Sequence, residues 1–315
     1  MEVFEGPLFI VGAPRSGTKL LRDLVKQHPA IGIPDYETEF LPRWLDLGYD
    51  GDFPAFYKWA KRFMYFKYME EEGRLLSQEA WLAASPAHDV AGLFEGLCRH
   101  DAAQPDGVWG DKSPNYRNNV AQIRGLYPKA RFVHIVRDGR DVCLSSHQAW
   151  HKHILRNAQR WNDEVGGCRQ AGRALGEDYL ELRYEDLLDD PERWLTAIAE
   201  HVGQSFDPKM LDPGRATENL GDTRGATGIV KGNTGKWRER MPPKQLRRVE
   251  ELCGPLLTEL GYERAHPELP PRPARSSEMQ AWRLVDGANL LRFRVKEWGL
   301  RDALKYSISA LESTL

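Results

Sequence analysis

Cysteine is scarce in this chain. It occurs four times in 315 residues (Cys98, Cys143, Cys168, Cys253), widely spaced and never as a CxxC pair. That spacing excludes a cysteine-built zinc site and a disulfide scaffold, so reduced thiols are expected. An excess of one charge is also missing. Lys and Arg number 44 against 46 Asp and Glu, a formal net charge of −2. A general nucleic-acid binder carries a large basic excess, so nucleic acid is not expected as a partner. Long apolar runs are absent as well, and no membrane span is expected. The opening Met-Glu-Val-Phe-Glu is acidic where a secretion signal is basic, which makes a cytoplasmic location the expectation. No internal repeat is found. A chain of this length can bury a substantial core.

What the sequence does contain is strand and helix in turn. Leu8, Phe9, Ile10 and Val11 form a short apolar run ending in Gly12, which predicts a buried strand. Residues 18–28 follow with helical spacing, carrying Leu20, Leu21, Leu24 and Val25 on one side, and Pro29 ends them. Further strands are expected at 108–110, 131–136 and 179–182. Helices are expected up to Leu126, from about 141 to 175, at 191–202 and at 243–260. Strand, glycine loop and helix in that order open a βαβ unit. The predicted fold is α/β: a P-loop-containing three-layer α/β/α domain over 1–264, with a central, mostly parallel sheet and a C-terminal helical extension. An aromatic-rich helical insertion is expected at about 40–105. A proline-rich linker at 265–280 leads to the extension at 281–315, where Leu284, Ala288, Leu291, Val295 and Trp298 share one helical face.

Gly12 and Gly17 keep the Gly-x-x-x-x-Gly spacing of a phosphate-binding loop. Its backbone N–H groups, together with a helix N-terminus, cradle an anion. The next residues are Thr18-Lys19, whereas a nucleoside triphosphatase has lysine followed by a hydroxyl residue. Here the early basic residue is Arg15, inside the loop. A plain glycine turn and a kinase or ATPase loop remain as alternatives at this stage. Arg137 closes the strand at 131–136, at the end where α/β folds bind ligands.

Pro14-Arg15-Ser16-Gly17-Thr18-Lys19-Leu20-Leu21 resembles the 5′-phosphosulfate loop of sulfotransferases that use 3′-phosphoadenosine-5′-phosphosulfate (PAPS), in particular the bacterial and tyrosylprotein branches. Arg137-Asp138-Gly139-Arg140-Asp141-Val142, with Ser145 eight residues after Arg137, resembles the family's 3′-phosphate clamp. Lys231-Gly232-Asn233-Thr234-Gly235-Lys236-Trp237 resembles its late glycine loop, and Tyr184 matches an aromatic residue at the adenine end. These segments run through about three quarters of the chain. The resemblance implies a sulfuryl transferase with PAPS as donor, adenosine 3′,5′-bisphosphate as product, and no metal. It assigns the nucleotide to Arg15, Ser16, Gly17, Thr18, Lys19, Leu20, Arg137, Ser145, Tyr184, Lys231 and Gly232.

The base is a separate matter. Asp111-Lys112-Ser113-Pro114 places Pro114 where many members carry a catalytic histidine. The Glu37-Thr38 pair resembles the glutamate segment of other branches, so Glu37 is the expected base, with Glu39 as rival. Lys112 and Arg15 are expected to stabilise the transferring group or the leaving oxygen. The acceptor stays open among small molecules, glycans and lipids. The aromatics between Phe53 and Trp81 suit either a ring-bearing acceptor or the core. A homodimer and a peripheral membrane contact through 281–306 also stay open. His147 and His151, four apart, invite a metal but lack a carboxylate set. Two other readings stand beside the main one: a P-loop kinase acting on a small molecule, and a non-catalytic nucleotide-binding protein.

Overall fold

The strand run at the start of the chain is buried on both faces. Leu8–Val11 forms β1, with Phe9 and Val11 packed into one core and Leu8 and Ile10 into another. Burial on both sides is the signature of a strand inside a parallel sheet covered by helices. The structure, a computed structural model, describes residues 4–104, 106–216 and 221–312. Four further strands complete the sheet: β2 (Ile31–Gly32), β3 (Val108–Lys112), β4 (Arg131–Val136) and β5 (Tyr179–Arg183). Their order is β2-β3-β1-β4-β5, and every neighbouring pair is parallel. The chain therefore leaves β1 toward β3 on one side and β4 on the other. This is the reversal of order at which α/β sheets bind ligands beyond the strand C-termini.

The first helix, α1, is Thr18–Val25. Five helices then make up the aromatic-rich insertion: α2 (Leu41–Leu47), α3 (Phe53–Ala60), α4 (Met64–Glu71), α5 (Gln78–Ala84) and α6 (Val90–Asp101). Their aromatics are core. Trp44 stacks on Phe56 at 3.8 Å between ring centroids, Trp81 packs edge-on against Phe53 and Phe56, and the Trp81 Nε1–H donates to the Leu93 carbonyl at 2.8 Å. Phe53 through Trp81 thus go mainly to packing the layer over β1, β3 and β4. On the other face α1 packs with α10 (Tyr184–Asp189) and α11 (Pro191–His201).

Helix α7 is Val120–Leu126, and the predicted single helix at 141–175 is two: α8 (Gly139–Trp150) and α9 (Ile154–Arg173). The break is at His151, which adopts a left-handed conformation (φ 54°). Helical period continues on both sides, so the pattern alone gives no sign of the break. A short α12 (Trp237–Arg240) interrupts the predicted loop at 213–241, and α13 is Pro243–Glu259.

The C-terminal helix α14 (Ser276–Glu312) has a non-helical residue at Gly299. The face that meets the rest of the protein is not the predicted apolar stripe. Trp282, Asp286, Asn289 and Phe293 pack against the 151–156 segment, while Leu284 (78% exposed), Ala288 and Leu291 face solvent. The docking face combines ring contacts from Trp282 and Phe293 with polar contacts from Asp286 and Asn289. The Trp298 side chain lies outside the described residues. The proline-rich stretch before α14 is fastened rather than loose: Arg272 N donates to the Glu251 carbonyl at 2.7 Å, and Ala274 N donates to Gln159 Oε1 at 2.7 Å. Among the described residues no helix is long and apolar enough to cross a membrane.

Candidate active site

The loop between β1 and α1 turns tightly, with Ser16 N donating to the Ala13 carbonyl at 3.0 Å. Gly17 caps α1 in a left-handed conformation (φ 89°), which a side chain rarely adopts. A Cβ there would lie 2.4 Å from the Tyr184 ring, so both space and backbone demand glycine. Gly17→Ala should therefore cost about 2–3 kcal/mol of stability, read by thermal melting. Gly125→Ala in α7 is the control. Its Cβ would meet nothing within 4 Å, and its melting temperature should stay level or rise.

Two hollows open at the C-terminal end of the sheet. The first, termed the donor cavity after the role proposed for it below, is lined by Arg15, Gly17, Leu20, Arg137, Ser145 and Tyr184, together with residues of the 222–240 segment. The second, termed the acceptor cleft on the same basis, is lined by Arg15, Gly17, Thr18, Lys19, Glu37, Glu39, Pro114, Asn115, Trp150 and Lys152. Arg15 and Gly17 line both, so they mark where the hollows meet.

Two buried polar atoms stand out at the loop. Among the described residues Ser16 Oγ is buried with no hydrogen-bond partner, and the same is true of Arg137 Nε. Buried donors without partners are costly, and an anion between them would relieve that cost. The rest of the Arg137 guanidinium is fixed by Nη1 on the Arg15 carbonyl (3.1 Å) and Nη2 on the Asn233 carbonyl (2.7 Å), above the Tyr184 ring. Arg15, itself at φ 73°, donates from Nε to Ser145 Oγ at 3.0 Å and lies over Trp150. Ser145 and Arg137 thus reach the loop from α8 and from the end of β4.

Behind this cradle the charges are structural. Asp138 caps its own helix through Arg140 N at 2.9 Å. Asp141 reaches the late loop, accepting from Gly235 N at 2.6 Å and Trp237 N at 2.9 Å. Arg140 is buried between Asp138 and Glu250 and stacks 3.6 Å from the Trp237 ring centroid. In the late loop the resemblance points to Lys231 and Gly232, yet both are exposed and neither lines the donor cavity. Asn233 and Lys236 occupy that wall instead. Asn233 Nδ2 donates to the Tyr184 hydroxyl at 2.9 Å. Lys236 sits within the motif read from the sequence, so its signal was present. Asp222 had none. It accepts from Lys236 Nζ (2.6 Å), Gln148 Nε2 (2.9 Å) and Arg240 Nη1, and these partners hold its carboxyl well below the usual range.

Glu37 of the second hollow forms an ion pair with Lys112, which lies buried behind it at the end of β3. Lys112 is 1% exposed and Glu37 39% exposed, so the lysine presents a buried charge toward solvent through the glutamate. Burial lowers the Lys112 pKa, and the Glu37 charge opposes that shift. Glu39 accepts from Asn115 Nδ2 at 2.8 Å. Crowding by protein, then the Glu37 charge, push its carboxyl upward, an effect tempered by its contact with cleft solvent. The Glu37–Glu39 turn is held from below by a hydroxyl network. Thr38 Oγ1 meets the Tyr116 hydroxyl at 2.6 Å, Glu39 N donates to Ser113 Oγ at 3.2 Å, and Leu41 N donates to the Tyr116 oxygen at 3.2 Å. Trp150, Lys152 and Asn115 also line this cleft, and no motif or spacing singles them out. His147 and His151 lie 6.2 Å apart between ring centroids, and among the described residues no group of three His, Cys, Asp or Glu is arranged to hold a metal.

Comparison with known proteins gives a consistent answer. The family model of the sulfotransferase family matches residues 7–208. Protein-tyrosine sulfotransferase of Drosophila melanogaster is 24% identical over 283 residues, covering 81% of this chain and 51% of that protein. Protein-tyrosine sulfotransferase 1 of Danio rerio is 23% identical over 280 residues, covering 81% and 72%. The chain therefore spans about half the length of the fly relative and under three quarters of the fish one. Among solved structures, the sulfotransferase domain from the curacin biosynthetic pathway matches with a TM-score of 0.58 at 19% identity, over 84% of this chain and 100% of that one. The sulfotransferase domain from the Synechococcus PCC 7002 olefin synthase matches with 0.56 at 24%, over 83% and 97%. These structural likenesses establish a shared fold.

Proposed function

Since the chain belongs to the sulfotransferase family, we propose that it moves the sulfuryl group of PAPS to the hydroxyl or amine of an acceptor, leaving adenosine 3′,5′-bisphosphate. The observation that carries this reading is the meeting of the two hollows at Arg15 and Gly17. A group bound on the phosphate loop from one side is open to attack from the other, as in-line transfer requires. Ser16, Gly17, Thr18, Lys19 and Leu20 hold the 5′-phosphosulfate, with Arg15 over it. Arg137, Ser145, Lys231 and Gly232 hold the 3′-phosphate, with Asn233 and Lys236 of the same late loop lining the cavity wall beside it. Tyr184 supports the loop from beneath and borders the nucleotide.

In the transfer, the acceptor oxygen attacks sulfur while the bond from sulfur to the bridging phosphate oxygen breaks. Glu37 takes the acceptor proton, and Lys112 and Arg15 stabilise the charge that grows on the leaving oxygen. The Lys112–Glu37 ion pair suits this division. When the lysine turns to the sulfuryl group, the glutamate is freed as a base. Glu39 is the rival base: burial, then the Glu37 charge, raise its pKa, which suits a proton acceptor near neutral pH. No role for a metal enters. The tyrosylprotein relatives make a phenol one natural acceptor class, and four free, buried cysteines suit a reducing, cytoplasmic setting.

Calorimetry tests the donor. Adenosine 3′,5′-bisphosphate should bind at least about tenfold tighter than ATP with or without magnesium, one extra charge-assisted contact being worth that much. Tighter binding of ATP would return the loop to a kinase reading.

A further inference from the structure

One cation in the acceptor cleft has no part in the transfer as described. Lys152 lies on the bend between α8 and α9 and lines the cleft, its ammonium 4.5 Å from the Trp150 ring centroid. The nearby carboxylates are engaged elsewhere. Glu164 pairs with Arg117 and Arg160, and Asp286 pairs with Arg156. Among the described residues no ion pair to Lys152 is formed. A partly buried ammonium without a counter-ion is unfavourable until an anion arrives. Burial, then the Arg160 charge, lower its pKa to about 8; Arg117 adds to this, and Asp286 and Glu164 oppose it.

The cleft also carries the other sign: Glu37 and Glu39 line it and would repel an acceptor carboxylate, while its other cations, Arg15 and Lys19, serve the donor in the reading above. An acceptor with a hydroxyl and an anion is therefore best met with its hydroxyl toward Glu37 and its anion toward Lys152, beside the Trp150 ring. The bend carrying Lys152 is pinned from outside. Asp286 of α14 accepts from His153 N and pairs with Arg156. The Trp282 ring stacks on His153 at 5.4 Å, and Asn289 Nδ2 donates to the His151 carbonyl at 3.0 Å. These contacts offset the left-handed backbone at His151, which a residue with a side chain adopts at a cost.

We infer that Lys152 is a specificity-determining residue that binds an anionic group on the acceptor beside its reacting hydroxyl, and that Asp286 of the C-terminal helix is the positioning residue that sets it there. The inference rests on the sulfuryl-transfer reading above.

The test is transfer from labelled PAPS to matched pairs, each hydroxyl compound offered as its carboxylate and as its neutral amide: 4-hydroxyphenylacetate with its amide, and 3-hydroxybutyrate with its amide. The full chain should favour at least one carboxylate by about tenfold or more in kcat/KM. Lys152→Met should level that pair, whereas Lys152→Arg should keep the preference. Asp286→Asn should raise KM for the carboxylate several-fold with a smaller effect on kcat. In the native protein KM for the carboxylate should rise as pH passes about 8, where the ammonium loses its proton, and Lys152→Arg should abolish that rise. Should Lys152→Met fail to fold, the native pH profile and Lys152→Arg still decide. Equal use of both members by the native chain, an unchanged preference in Lys152→Met, or transfer to no carboxylate each overturns the inference. Binding of adenosine 3′,5′-bisphosphate, measured on the same preparation, shows whether the donor reading falls with it.

Discussion

Replacing Glu37 by Gln is expected to lower kcat about 10³-fold while the affinity for adenosine 3′,5′-bisphosphate stays within about twofold. General-base catalysis contributes roughly 10²- to 10⁴-fold, and glutamine keeps the shape but cannot take the proton. Nucleotide binding is spared because Glu37 lines the acceptor cleft and not the donor cavity. Glu37→Gln also leaves Lys112 buried without its counter-charge. The lysine pKa should then fall further, since its largest raising influence, the Glu37 charge, is gone. The residual activity should accordingly weaken toward high pH more than that of the native protein. Glu39→Gln is the internal comparison, with an expected loss of less than about tenfold. If Glu39→Gln shows the larger fall in kcat, the two glutamates exchange roles.

Arg137→Ala should have its effect on the other hollow. Adenosine 3′,5′-bisphosphate should bind about 10- to 100-fold more weakly, the worth of one or two hydrogen bonds to a charged phosphate. Adenosine 5′-phosphate, which lacks the 3′ group, should lose much less. That contrast separates a lost phosphate contact from a loosened loop. The control matters because Arg137 also donates to the Arg15 and Asn233 carbonyls. Equal losses for both nucleotides, followed by calorimetry, would make Arg137 a brace for the loop and remove it from the 3′-phosphate site.

Much of the fold was legible because local pattern and tertiary need agree. Leu8–Val11 reads as a strand and is one, since a strand buried on both faces needs an apolar run. Arg131–Val136 does too, with buried His134 in its middle held by Tyr179 and Glu181. The α8–α9 break was not legible. It is set by contacts from α14, more than 120 residues away, and both flanks keep helical period. The docking face of α14 was misread for a related reason. Apolar periodicity names Leu284, Ala288 and Leu291, but Asp286 and Asn289 find polar backbone partners and turn the helix. In the site, residues on the phosphate loop and at strand ends announced themselves by spacing. Asn115, Trp150, Lys152 and Asp222 did not, because their function comes from where distant segments bring them.

Asp222 gives the donor cavity a property of a different kind. Lys236, Arg240 and Gln148 are already held by a carboxylate carried on the same chain. An anion seeking those donors meets a tethered competitor whose effective concentration is on the order of millimolar, however dilute the protein. Simple anions such as chloride or inorganic phosphate must outcompete it through a single point of attachment. A ligand that also grips the loop at Ser16 and Gly17 brings a second attachment to the exchange. The internal carboxylate thus acts as a threshold, raising the entry requirement for every anion and favouring those that bind at two points.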